Sequence, residues 1–252
     1  MMESHMTKKS RTILFSICVF LFLLTAPSVI FYSQGYRFDF ASGKIVQTGG
    51  LYFKVAPRSA QISLNGKIKN TTSIFTSASL IENLLPKNYA VEISKDGYYS
   101  WQKTLEVKEK QVTEAKNITL IPKIPELTKL DLTQEEIENM VSGFKPSATS
   151  SDGHKLIEAD KHEIWINFWE EKEKTFLIRF SENIGEVFWF NDYYLIFNVG
   201  DKIKVAEIDD RDRLNVVDLV ELRIPEIFWD SLNGELYVLS EGALYVSGKL
   251  LP

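Results

Sequence analysis

The stretch TILFSICVFLFLLTAPSVIFY, residues 12–32, contains no charged residue, and a chain carrying it has few ways to fold. At ~1.5 Å per residue an α-helix of this length covers about 31 Å, the thickness of a bilayer's hydrocarbon core. Inside lipid only a helix or a closed barrel satisfies its own peptide groups, so a single apolar run implies a helix. Tyr32 and Tyr36 stand where an aromatic belt would meet the far interface, and Lys8, Lys9 and Arg11 precede the run. The positive-inside bias then assigns residues 1–11 to a cytoplasmic tail, residues 12–34 to a transmembrane anchor and the remainder to the other side. The competing reading is a cleaved signal peptide, with an apolar core ending at Leu24 and a small-residue site at Ala26-Pro27-Ser28. Val29-Ile30-Phe31 carry the apolar run past that site, which favours an uncleaved anchor. In both readings the rest of the chain is exported.

Beyond Gly35 the sequence holds 26 basic and 33 acidic residues, a balance of -7. Such a surface repels phosphate backbones, which argues against nucleic-acid binding. The single cysteine, Cys18, lies within the apolar run, so no intramolecular disulfide can form. Inside that run it reads as a small lipid-facing residue.

From Gly50 to Pro122 apolar and polar residues alternate with period two. Leu51, Phe53 and Val55 share one face, as do Ala60, Ile62 and Leu64, and then Tyr89, Val91 and Ile93. Leu105 with Val107 and Ile118 with Leu120 continue the pattern, and Asn65-Gly66 supplies a tight hairpin turn. One apolar face per strand predicts a small antiparallel β-sandwich over residues 35–122, lead-in included. The segments GLYFKVAPRSAQISLNGK and LLPKNYAVEISKDGYYSW resemble the PEGA domain family. Gly50, Pro57, Ala60, Ile62, Asn65, Gly66 and Lys67 carry the likeness in the first segment. Leu84, Pro86, Tyr89, Val91, Ile93, Lys95, Gly97, Tyr98 and Trp101 carry it in the second, while Arg58-Ser59 replace the family's Glu-Gly. The lead-in GYRFDFASGKIVQTGG is similar to that of membrane-anchored PEGA proteins of bacteria. The resemblance implies an extracytoplasmic interaction or structural module at a bacterial cell membrane, with no catalytic residues.

Residues 123–146 read as a linker with one short helix, opened by a capping box of Thr133 with Glu136 and closed near Gly143. Residues 147–252 repeat weakly. Leu156-Ile157, Leu195-Ile196 and Leu236-Tyr237 are each followed eight residues later by a second apolar cluster. Phe188-Trp189 and Phe228-Trp229 precede two of these units. A period near 40 suggests propeller blades, and SSDGHKLI with DSLNGELYVL resembles repeats of the TolB-like family. The fold class expected is therefore mainly β: a transmembrane helix, a PEGA-like sandwich, then a partial β-propeller-like arc of up to three blades. Only Ser247–Pro252 follow the last apolar cluster, so the last blade is expected to lack its outer strand. That free sheet edge would recruit a protein partner or a second copy.

No nucleophile–base pair, metal-ligand spacing or phosphate loop accompanies this architecture, so no catalytic, cofactor-binding or metal residue is assigned. His5, His154 and His162 are scattered, and the run Asp209–Arg213 reads as a solvated hairpin tip. The expected function is non-enzymatic: a membrane-anchored scaffold or protein-interaction module of the bacterial cell envelope. The alternative is a receptor for cell-surface glycan or wall polymer. Its candidate interaction residues are Tyr99, Trp101, Trp165 and Trp169, which would stack on sugar rings where they are exposed.

Overall fold

The computed structural model describes residues 7–72, 76–170 and 172–251; His5 lies outside them. The fold is mainly β, with one N-terminal apolar helix followed by antiparallel sheets. The chain forms two compact units. One comprises the chain up to Tyr52 with Leu80–Asn88 and Glu106–Glu114; the other comprises Phe53–Ser79, Tyr89–Leu105 and the chain from Ala115.

In the first unit, helix α1 spans Lys8–Ser33 and begins one turn before the uncharged run. It is long and apolar enough to cross a membrane, and none of it is buried. Thr7 caps it by accepting from the Ser10 amide. Pro27 withholds one helical donor, while the Thr25 and Ser28 hydroxyls donate to the Leu21 and Leu24 carbonyls at 2.9 Å each. Such side-chain bonds are how polar groups are tolerated in lipid. Gly35, at φ +82°, turns the chain into a hairpin of β1 (Tyr36–Asp39) and β2 (Lys44–Gln47). At Gly49 a Cβ would lie 2.2 Å from the Lys108 carbonyl, so only glycine permits this close approach.

Strands β3 (Gly49–Ala56), β4 (Gln61–Leu64), β5 (Lys67–Thr71), β6 (Ala78–Leu84), β7 (Lys87–Ser94), β8 (Trp101–Val107) and β9 (Val112–Thr119) form two sheets. Their orders are β6-β3-β9 and β5-β4-β7-β8. The faces named from the alternation are the buried ones: Phe53, Ala60, Ile62, Val91 and Ile93 are at most 2% exposed. Asn65 and Gly66 both take positive φ, as the tight turn between β4 and β5 requires.

Past the sandwich come β10 (Leu127–Lys129) and helix α2 (Gln134–Val141), whose capping box of Thr133 and Glu136 is complete. Ten further strands follow: β11 (Lys155–Ala159), β12 (Glu163–Phe168), β13 (Glu173–Arg179), β14 (Ile184–Asn191), β15 (Tyr194–Val199), β16 (Lys202–Glu207), β17 (Val216–Glu221), β18 (Glu226–Asp230), β19 (Glu235–Ser240) and β20 (Ala243–Ser247). They make three sheets: β11-β12-β13, β14-β15-β16-β17, and β18-β19-β20 extended by β10. The sheets do not close into a ring.

Equivalent positions of successive repeats are buried in successive cores. Leu195 and Trp189 pack in the core between the first and second sheets, while Leu236 and Trp229 pack in the core between the second and third. Each repeat thus turns the same positions toward the sheet before it. Phe228 and Tyr237 face the other way, where Phe144, just past α2, packs on them at 6.0 and 5.3 Å between ring centroids. The expectation of a missing outer strand is corrected here: β10 pairs antiparallel with β20, Thr128 opposite Val246. Three residues inside the supposed linker complete the last sheet, because an apolar strand edge left bare is costly.

Candidate functional site

The run Asp209–Arg213 departs most from its expected role. It is not simply a solvated tip, since it and Asn215 grip the outer edge of β8. The Thr104 amide donates to Asp212 at 2.7 Å and the Gln102 amide to Asn215 Oδ1 at 3.3 Å. Asn215 Nδ2 returns a bond to the Gln102 carbonyl at 3.1 Å. An edge strand's unpaired donors are thereby satisfied by side chains. Beneath this grip lies an ion pair: Lys103 Nζ and Glu207 Oε1 are 2.7 Å apart, with side chains 0% and 3% exposed. Lys103 also donates to the Asp209 and Arg213 carbonyls at 2.6 and 2.7 Å, which occupies all three ammonium protons. Glu207 accepts from the Trp101 indole at 2.7 Å and from the Asn215 side chain and amide. Burial raises the Asp209 carboxyl, but Arg211 and Lys103 outweigh it and hold the group below its usual range.

Above this network opens a cleft of about 420 Å³, lined by β9, the turn at His154-Lys155 with Phe168 and Glu170, Tyr193-Tyr194, and the Glu207–Arg211 segment. Its floor is apolar and aromatic; its rim carries both signs of charge. Tyr194 is buried, and desolvation followed by the Glu207 charge pushes its phenol above the ordinary value. Its hydroxyl accepts from the Thr119 amide at 3.1 Å, so it is structural rather than acidic. Asp152 organises the turn at the mouth. Burial raises it, yet Lys155, the Ser150 hydroxyl and the His154 amide prevail and lower it to about 2. Lys155 in turn stands 5.0 Å over the Tyr193 ring. Among the described residues no group of three or more His, Cys, Asp or Glu side chains is placed to hold a metal ion.

The four aromatic candidates separate into two pairs. Trp101 is 3% exposed and bonded to Glu207, and Tyr99 is half-buried with its hydroxyl donating to the Asp218 carbonyl at 2.8 Å. Trp101 is too enclosed to offer a ring face, and Tyr99 packs partly against the core between the second and third C-terminal sheets. Trp169 is 62% exposed, on the turn after β12. Trp165 is half-buried on the outer face of the first C-terminal sheet, the face corresponding to those that Leu195 and Leu236 bury. There it meets Phe176 edge-on at 5.1 Å, opposite Glu158 in register. Lys174 pairs with Glu158 and lies 5.3 Å over the Trp165 ring; Arg179 pairs with Glu163, which also accepts from the Trp165 indole. The result is an aromatic centre with an ionic rim, on a face that carries 44%-exposed Phe176. Sequence periodicity points to this face, because Leu156 occupies the position that turns Leu195 and Leu236 toward a preceding sheet.

The chain matches no protein-family model and no curated protein. Among solved structures it is similar to Hsv2 from Kluyvelomyces marxianus, at 10% identity and a TM-score of 0.23, over 77% of this chain and 49% of that one. A quinonprotein alcohol dehydrogenase-like protein from Bacteroides thetaiotaomicron gives 13% identity and a TM-score of 0.24, over 71% and 45%. A DUF3823 family protein from Bacteroides ovatus gives 11% and 0.23, over 81% and 97%. The chain spans about half the length of the first two. Likeness this low carries no argument about fold or function.

Proposed function

We propose that this chain is a non-enzymatic scaffold of the bacterial cell envelope, anchored by α1 with its N-terminus in the cytoplasm. On this reading the sandwich is a PEGA-like module and the three C-terminal sheets are blades of a partial propeller, related in geometry to the TolB-like family. The observation that carries it is the open face of the first C-terminal sheet, with Trp165 and Phe176 in edge contact inside a rim of Glu158, Glu163, Lys174 and Arg179. Aromatic centres within polar rims are the usual anatomy of protein–protein contacts. The occupant is a second copy of the chain. A two-fold axis along the strands sets β11 against the partner's β13, so that Trp165 meets its own copy and Phe176 covers the partner's Glu158, which makes the face self-matching. This differs from pairing through a bare edge, since β10 already occupies the edge of β20.

The test is the molar mass of the full chain in detergent by light scattering over a dilution series. A dimer that Trp165→Glu and Phe176→Glu each convert to monomer supports the assignment; a monomer at every concentration refutes it. A second reading is favoured by the cleft, where Phe168 and 39%-exposed Tyr193 offer ring faces to a wall-derived glycan. Calorimetric titration with wall fragments, with and without Tyr193→Ala, decides between them.

A further inference from the structure

The short hairpin that follows α1 is folded with its apolar side outward. Phe38 and Ile45 are cross-strand partners and therefore share a face, to which Tyr36 also belongs by alternation. Phe38 is 50% exposed, Ile45 69% and Phe40, at the tip, 89%. The other face carries Arg37, Asp39 and Lys44 together with half-buried Val46. An isolated two-stranded hairpin is at best marginally stable in water, and a contiguous exposed apolar patch marks a surface that meets something other than water. Yet this hairpin is held firmly. Asp39 accepts from the Ala41 amide at 3.0 Å and the Ser42 hydroxyl at 2.7 Å, which fixes the tip. Arg37 donates to the Tyr32 and Tyr36 carbonyls and to Asn83, and lies 3.6 Å over the Tyr32 ring.

The aromatic side chains are continuous with the helix. Phe31 meets Tyr36 edge-on at 5.5 Å, and Phe38 meets Phe40 edge-on at 5.0 Å. Only Gln34 and Gly35 separate Ser33, the last residue of α1, from Tyr36. Four extended residues reach roughly 14 Å, so every ring stays close to the point where the helix leaves the hydrocarbon.

We propose that the exposed face of the β1–β2 hairpin lies in the interfacial layer of the bilayer, where Phe38, Phe40 and Ile45 enter the boundary between headgroups and acyl chains. This rests on the reading of α1 as an uncleaved membrane span. Aromatic side chains favour that layer, and an apolar face with cationic residues behind it is the pattern of segments lying along a membrane.

The test uses the full chain in phosphatidylcholine vesicles whose lipids carry nitroxides at the headgroup, at acyl carbon 5 or at carbon 12. An environment-sensitive fluorophore is placed on native Cys18, or on Ala41→Cys in a Cys18→Ala chain. The Cys18 label reports the span, with strongest quenching from the deep nitroxide. The label at 41 is expected to be quenched at least about twofold more by the two shallow nitroxides than by the deep one. Replacing Phe38, Phe40 and Ile45 by Ser is expected to cut that quenching at least about twofold and leave Cys18 unchanged. Deep quenching at Cys18 without quenching at 41 overturns the proposal and leaves the span intact. Quenching at 41 that survives the triple substitution overturns it too. Absence of quenching at both sites would instead overturn the span.

Discussion

Removing Lys103 is the most informative single perturbation of the β-rich part of the chain. Its ammonium is fully enclosed, 2.7 Å from the Glu207 carboxylate, and both groups have every hydrogen-bonding position filled. At an effective dielectric near 20 the attraction is about 6 kcal/mol, set against a desolvation penalty of several kcal/mol per ion. The pair as a whole is therefore close to neutral. Lys103→Met leaves Glu207 charged, buried and facing a methylene chain, and the two carbonyls lose their donor. The expected cost is about 3–5 kcal/mol. Adding Glu207→Gln keeps acceptance from the Trp101 indole and removes the stranded charge, so the double variant is expected to recover at least ~2 kcal/mol. The assay is urea unfolding of the full chain in detergent, followed by tryptophan fluorescence. Neither value should respond to salt, because a buried pair is poorly screened. A single substitution costing under about 1 kcal/mol, or a double variant as unstable as the sum of the singles, would refute the reasoning.

Further outcomes follow from other sites. Asp152, held at about 2 against an ordinary 3.8, stabilises the fold above pH ~4, and the contribution fades as pH falls toward 2. After allowance for solvent it amounts to about 1 kcal/mol, and Asp152→Asn should flatten that limb of an acid titration of stability. Thr128→Pro removes the ladder donor midway between the Glu126–Gly248 and Leu130–Leu244 bonds of β10 with β20. It should cost roughly 3 kcal/mol in urea unfolding and promote association on warming, read by light scattering. Trp189 donates to the Ala148 carbonyl at 3.0 Å, whereas the buried Trp229 indole finds no acceptor among the described residues. In thermal unfolding Trp189→Phe should therefore be more costly than Trp229→Phe by about 1 kcal/mol.

The features legible in the sequence are those that a local pattern dictates. The helix is readable because lipid accepts only uncharged side chains over that length, and the sandwich strands because burial on one face imposes period two. The Phe-Trp pairs announce the repeat because the same residue packs against each preceding sheet. The pairing of β10 is not readable: Leu127-Thr128-Lys129 is too short to show a period, and its partner lies 118 residues onward. The grip on β8 is hidden for a different reason. Charged side chains look alike in sequence whether water or a strand's amides receive them, and nothing local ties Asp212 to Thr104. The cleft is illegible likewise, because its walls come from well-separated stretches of chain. The inverted hairpin after α1 does leave a trace, in an aromatic residue at every second position from Tyr36 to Phe40, but alternation alone does not say which side is wet.

The union of β10 with β20 also imposes an order in time. The two strands bracket more than a hundred residues, so their meeting closes a loop that contains the first two C-terminal sheets entirely. Closing so long a loop is entropically unfavourable until those sheets have formed and shortened the effective distance. β10 is synthesised soon after the sandwich, yet it has no partner until the last strand, β20, is made. During that interval a growing chain presents an unpaired strand. The brevity of β10 and its terminal lysine make that wait tolerable: three residues hold a finished sheet together but are too few to seed a wrong one.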